Sequence, residues 1–196
     1  MRAVKDSALL LGYPLHLHPM SIPPRRAEPE QIASNTRTFF VTSSTWDKRN
    51  LLQSDRAAGL FLKVLYEYRA QGKFRLHEFV VMSDHFHLLL TVGSEITIEK
   101  AIQFIKGGFA FRAGKELGVK APFWQKGFSE VRILDSPAYA QVREYIRNNP
   151  VKRRLVPAAD QYLFSSAHLG FELELPPQGL KPVEFHCLND TAKAAS

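Results

Sequence analysis

The chain of 196 residues has a single cysteine, Cys187, so no disulfide can close within it, and a reducing compartment is expected. It lacks an apolar run long enough to cross a bilayer. The short stretch Ala8–Leu11 is followed by Gly12, Pro14 and two histidines and makes a poor signal-peptide core. No internal repeat is visible. Acidic residues are in deficit: 19 Asp and Glu against 26 Lys and Arg leave a net charge of +7. That excess favours a polyanionic partner, nucleic acid before membrane. An apolar fraction of 45% and an aromatic fraction of 11% allow one globular domain with a sizeable core.

Residues 1–33 carry Pro14, Pro19, Pro23, Pro24 and Pro29 with little periodicity and are expected to form an extended arm, in which Arg25 and Arg26 can meet a phosphate backbone. Residues 34–170 hold the periodic segments. The β-branched and aromatic run 36–45 predicts a strand. Ser54 is a helix N-cap, followed at helical spacing by Ala58, Phe61, Leu62, Leu65 and Tyr68, and Gly72 sits where that helix stops. Residues 73–82 and 85–92 predict an antiparallel hairpin joined at Ser83-Asp84. A second helix starts near Thr97, with Gly107-Gly108 inside it bending it or admitting a close neighbour. A short strand over 130–134 leads into a third helix capped at Ser136, with Pro137 at its first position and its end at Asn149 before Pro150. This order predicts an α+β fold, a ferredoxin-like antiparallel sheet with helices packed on one face. Residues 171–196 are expected to be a C-terminal tail.

Two constellations carry chemistry. In Met82-Ser83-Asp84-His85-Phe86-His87-Leu88-Leu89-Leu90, strand alternation points His85 and His87 the same way and Phe86, Leu88 and Leu90 the other. Two imidazoles side by side suit one divalent ion, whereas an isolated pair of this kind more often marks a half-exposed sheet. In the third helix Tyr139, Val142 and Ile146 make the apolar stripe, while Gln141, Tyr145 and Asn149, four apart, line one edge of it. Tyr145 and Asn149 therefore address one point in space. Arg143 and Arg147 are expected on the far side of this helix, and Lys152, Arg153 and Arg154 follow it, a basic run able to hold a phosphate backbone.

These residues resemble the REP-associated tyrosine transposases, members of the single-tyrosine, His-hydrophobe-His class. The histidine strand resembles that class's metal motif. Phe123-Trp124-Gln125-Lys126-Gly127-Phe128 is similar to the family's Trp-Gln-x-x-Phe/Tyr signature, and Glu144–Lys152 to its Tyr-Ile-x-x-Asn-Pro-Val-Lys segment. Ser165-Ser166-Ala167 resembles a Tyr-Ser-Ser-Ala element, with Phe164 in the tyrosine's place. Arg153 and Arg154 stand where the family often has glycine before Leu-Val. The likeness spans about residues 35–168.

The resemblance implies an enzyme of the bacterial cytoplasm that cuts and rejoins single-stranded, hairpin-bearing DNA. Tyr145 would be the nucleophile, giving a 5′-phosphotyrosine, with His85, His87 and Asn149 as ligands of Mg²⁺ or Mn²⁺. It implies a monomer rather than a helix-exchanged dimer, and no membrane partner. Arg147, Lys152, Arg153, Arg154, Lys106 and Arg112, with Lys115, are expected along a DNA path. Trp124 and Phe128 have two roles open to them, stacking on bases or packing in the core. Asp84 likewise serves as an acceptor behind a histidine or as a turn former, and His77 is read as structural. Two other functions compete: a non-catalytic nucleic-acid binding module on the same sheet, and a phosphodiesterase whose metal activates water.

Overall fold

In the computed structural model, described for residues 36–177 and Leu180, the order is β1 (Arg37–Ser44), α1 (Asp55–Ala70), β2 (Arg75–Val81), β3 (His85–Val92), α2 (Ile98–Glu116), β4 (Ser129–Ile133) and α3 (Ser136–Lys152). The proline-rich arm with Arg25 and Arg26, Cys187 and most of the expected tail lie outside the described residues. The strands form one antiparallel sheet in the order β2-β3-β1-β4, the ferredoxin-like arrangement. No helix among the described residues is long and apolar enough to cross a membrane.

The expected cap on α1 is in place, and α2 starts where expected, with Thr97 as its cap. Ser54 accepts from the Ala57 amide at 3.2 Å, and Thr97 accepts from the Lys100 amide at 3.3 Å. These two helices cross on one face of the sheet over Phe39, Val41, Phe79, Phe86, Leu88 and Leu90. Gly108 is the close-approach position. A Cβ there would stand 2.8 Å from Tyr68 Cε2 and 3.1 Å from Val64 Cγ1.

The placement of all helices on one face needs correction: α3 covers the opposite face, its Tyr139 and Ile146 packing over Val80, Leu89 and Ile133. All eight residues of β3 are buried, so both faces of this central strand are covered. The start and end of α3 also differ from expectation. Asp135, not Ser136, is its N-cap, accepting from the Ala138 amide at 2.8 Å. The helix runs through Pro150 to Lys152. Asn149 and Pro150 are buried, and the last turn closes with Arg153 N–H donating to Asn149 O at 3.1 Å and Leu155 N–H to Pro150 O at 3.0 Å. Proline at the final turn removes only one helical hydrogen bond, that to the Ile146 carbonyl.

The chain after α3 returns along the outer edge of β2. Val81 N–H donates to Phe164 O at 2.8 Å, Ser166 N–H to Phe79 O at 2.9 Å, and Glu174 N–H to Leu76 O at 2.9 Å. Residues 171–174, expected in the tail, are docked here. Phe171 lies edge-on to Phe79 at 5.0 Å, and Arg69 holds Glu174 at 2.9 Å.

Candidate active site

Register places the histidines. In the β1–β3 ladder Thr42 pairs with His87 and Ser44 with His85, so both imidazoles stand on the face that α3 covers, their centroids 4.8 Å apart. Each ring is held by its Nδ1. His85 Nδ1–H donates to Asp84 Oδ1 at 2.5 Å, and a carboxylate there fixes the tautomer that leaves Nε2 as a lone pair. His87 Nδ1 lies 2.7 Å from Thr42 Oγ1, and the same tautomer results when the hydroxyl accepts. Burial lowers the pKa of His85, and more strongly that of His87, where His85, Arg153 and Lys48 add to the effect. Both rings are therefore held neutral, the form that coordinates metals.

The third helix brings the tyrosine to this shelf. The Tyr145 ring is edge-on to His87 at 5.3 Å and to Phe40 at 5.8 Å, while Phe40 stacks on His87 at 5.5 Å. Tyr145 is half-buried. Burial raises its pKa above the usual phenol value; the nearby Arg153 charge and a hydrogen bond from the Asn149 side chain oppose that rise. Lys152 Nζ sits 5.5 Å from the Tyr145 ring centroid. One turn on from Tyr145, Asn149 is 5% exposed.

Two polar atoms in this cluster are buried without a partner: His87 Nε2 and Asn149 Oδ1. Unsatisfied buried acceptors are rare and mark places where a partner belongs. Among the described residues no three His, Cys, Asp or Glu side chains are grouped to hold a metal, so a site here draws on the asparagine oxygen. Two imidazole nitrogens and an amide oxygen form a donor set that fits a divalent ion of intermediate hardness.

The remaining predicted residues divide. Lys152, Arg153 and Arg154 are exposed at the end of α3, beside the site. Arg147 does not lie on the far side of its helix: it and Arg143 turn to the buried Glu78 of β2, with Arg147 Nη2 at 3.0 Å and Arg143 Nε at 2.8 Å. Arg112 is occupied by Glu67 and Glu116, each at 2.8 Å. Lys106 donates to the carbonyls of Gln125 at 3.0 Å and Gly127 at 2.6 Å, and burial pushes its amine down to about 8. Trp124 packs on Phe61, Phe86 and Phe109, with its indole N–H donating to Lys106 O at 2.9 Å, so it takes the core role. His77 bonds Thr91 Oγ1 at 2.8 Å, in keeping with a structural histidine.

Sequence reasoning missed Thr42, Phe40, Glu78 and Lys48. Thr42 and Phe40 were open to discovery, because strand alternation puts them on one side of β1 and pairing sets Thr42 across from His87.

The site thus sets a tyrosine-bearing helix beside a histidine pair on a four-stranded antiparallel sheet. The family model for IS200-like transposases matches residues 36–149, and the chain belongs to that family. A Haemophilus influenzae protein provisionally named a REP-associated tyrosine transposase is 25% identical over 162 residues, which are 74% of this chain and 92% of the relative. A solved structure of a REP-associated tyrosine transposase bound to a REP hairpin shares the fold, with a TM-score of 0.61 at 20% identity, over 84% of this chain and 99% of that one.

Proposed function

We propose that this protein cleaves and rejoins single-stranded, hairpin-bearing DNA through a 5′-phosphotyrosine on Tyr145. The observation that carries the reading is the convergence of Tyr145, His85, His87 and Asn149 on one face, with His87 Nε2 and Asn149 Oδ1 buried and unpartnered. The Tyr145 oxygen attacks phosphorus as its proton passes to solvent, the bond from phosphorus to the 3′-oxygen breaks, and the 3′-oxygen takes a proton from solvent to leave as a hydroxyl. Attack by a 3′-hydroxyl on the tyrosyl ester reverses the step and joins strands without ATP. His85, His87 and Asn149 would hold Mg²⁺ or Mn²⁺, which polarises the scissile phosphate when bound. Asp84 and Thr42 orient the two imidazoles. Arg153 lowers the cost of a phenolate at Tyr145, and Lys152, Arg153 and Arg154 supply counter-charge for the backbone.

Tyr145 sits on a helix packed against its own chain's sheet, which supports a monomer with a complete site. A unit over residues 34–170 flanked by an arm and a tail, working in the cytoplasm, is part of the same reading. The test is a denaturing gel after mixing protein, Mn²⁺ and an end-labelled hairpin oligonucleotide. Wild type gives a protein–DNA adduct; Tyr145→Phe gives none while still binding the hairpin. Cleavage that survives in Tyr145→Phe would mean that the nucleophile is water, and binding without cleavage in wild type would mean a non-catalytic module.

A further inference from the structure

The turn that leaves β1 has a backbone that its side chains do not favour. Asp47 has φ 52° and Lys48 φ 53°, two successive L-residues in the left-handed region that glycine enters freely. The turn is clamped on every side. Thr45 Oγ1 donates to Arg49 O at 2.6 Å and is also 3.0 Å from Asp84 O; Trp46 N–H donates to Phe123 O at 2.8 Å; Arg49 Nη2 donates to Pro122 O at 2.5 Å. Strain held in place by its surroundings gathers at functional sites.

What the conformation achieves is the placement of a cation. Lys48 Nζ turns back to donate to Ser44 Oγ at 2.7 Å, and Ser44 is the residue paired with His85. Residues paired across a ladder share a face, so this bond carries the ammonium to the rim of the histidine shelf from the end of β1. Glycine would fit this backbone without strain, and the exposed bond to a serine hydroxyl contributes little to stability.

Building on the nuclease reading above, we propose that Lys48 is a catalytic residue whose ammonium leaves Ser44 to bind a non-bridging oxygen of the scissile phosphate. As the Tyr145 oxygen bonds to phosphorus and the 3′-oxygen departs, negative charge gathers on the non-bridging oxygens. Lys48 neutralises it without giving up a proton.

Lys48→Gly is the discriminating variant, because it relaxes the backbone and removes the charge together. Single-turnover adduct formation with saturating hairpin oligonucleotide and Mn²⁺ is expected to fall on the order of 10²-fold. The melting temperature should stay level or rise, and hairpin Kd should change by no more than about threefold. Lys48→Arg should recover most of the rate, and Asp47→Gly, which relaxes the same turn and keeps the lysine, should cleave as wild type does. A Lys48→Gly rate within about threefold of wild type overturns the proposal, as does a loss that parallels weakened binding and vanishes at saturating DNA. Absence of an adduct in wild type itself sinks the nuclease reading and this one with it; a wild-type adduct with an unaffected Lys48→Gly sinks this one alone.

Discussion

Replacing Glu78 with glutamine should destabilise the fold by about 2–3 kcal/mol, somewhat less than the roughly 3–5 kcal/mol that removing one partner of a fully buried ion pair costs. Glu78 is 2% exposed and lies on β2. Its Oε1 accepts from Arg143 Nε at 2.8 Å and from Arg147 Nη2 at 3.0 Å, and its Oε2 accepts from Ser166 Oγ at 2.5 Å. The full penalty is not expected, because the arginine side chains keep 47% and 33% of their exposure and can turn to water when the carboxylate charge is gone. The amide still fills the space and accepts one hydrogen bond, so packing is conserved. Urea unfolding followed by circular dichroism reads the effect as a drop in midpoint at constant slope. Arg143 and Arg147 lie two residues either side of Tyr145, so the same change frees the roll of α3 and should slow adduct formation more than it weakens hairpin binding. A loss below about 0.5 kcal/mol, no larger than an ordinary surface substitution, would refute the idea that this carboxylate clamps the helix.

Mn²⁺ should raise the melting temperature of wild type and bind with a resolvable heat, and both signals should disappear in His87→Ala and weaken in Asn149→Ala; titration calorimetry without DNA checks this apart from activity. Gly108→Ala should cost about 1–3 kcal/mol, since the new methyl meets Tyr68 at 2.8 Å, and an unchanged unfolding midpoint would show that the tyrosine yields freely.

Where local chemistry set the structure, the sequence was legible. Ser54 caps its helix, and alternation along β3 put His85 and His87 together because residues two apart on a strand share a face, while a one-residue slip would carry both imidazoles under α1 and α2. The spacing of Tyr145 and Asn149 carried equally well, since both fall on one continuous helix. The failures have non-local causes. A register shift between Leu76 and Glu78 breaks alternation in β2, so His77 and Glu78 both meet α3, and no reading of that strand's period could pair Glu78 with Arg143 and Arg147. Helix α3 runs past the expected stop because burial of Pro150 outweighs the local bias of the residue before it. Trp124 was ambiguous in sequence, and it is the packing of α1 and α2 around it that decides for the core. Lys48 carried no signal, because its conformation is imposed by contacts from Asp84, Pro122 and Phe123.

The segment that zips along β2 also defines how short the molecule can be made. Ser165 bridges to Val80, and Glu174 both accepts the Leu76 amide through its carboxylate and donates its own amide to the Leu76 carbonyl. A chain trimmed at residue 149, where the family match stops, would bare that whole strand margin, strip Ser166 from Glu78 and offer neighbouring molecules a ready template for intermolecular pairing. The smallest piece expected to keep this edge covered thus extends through Glu174, and shorter pieces are expected to pair with one another along β2.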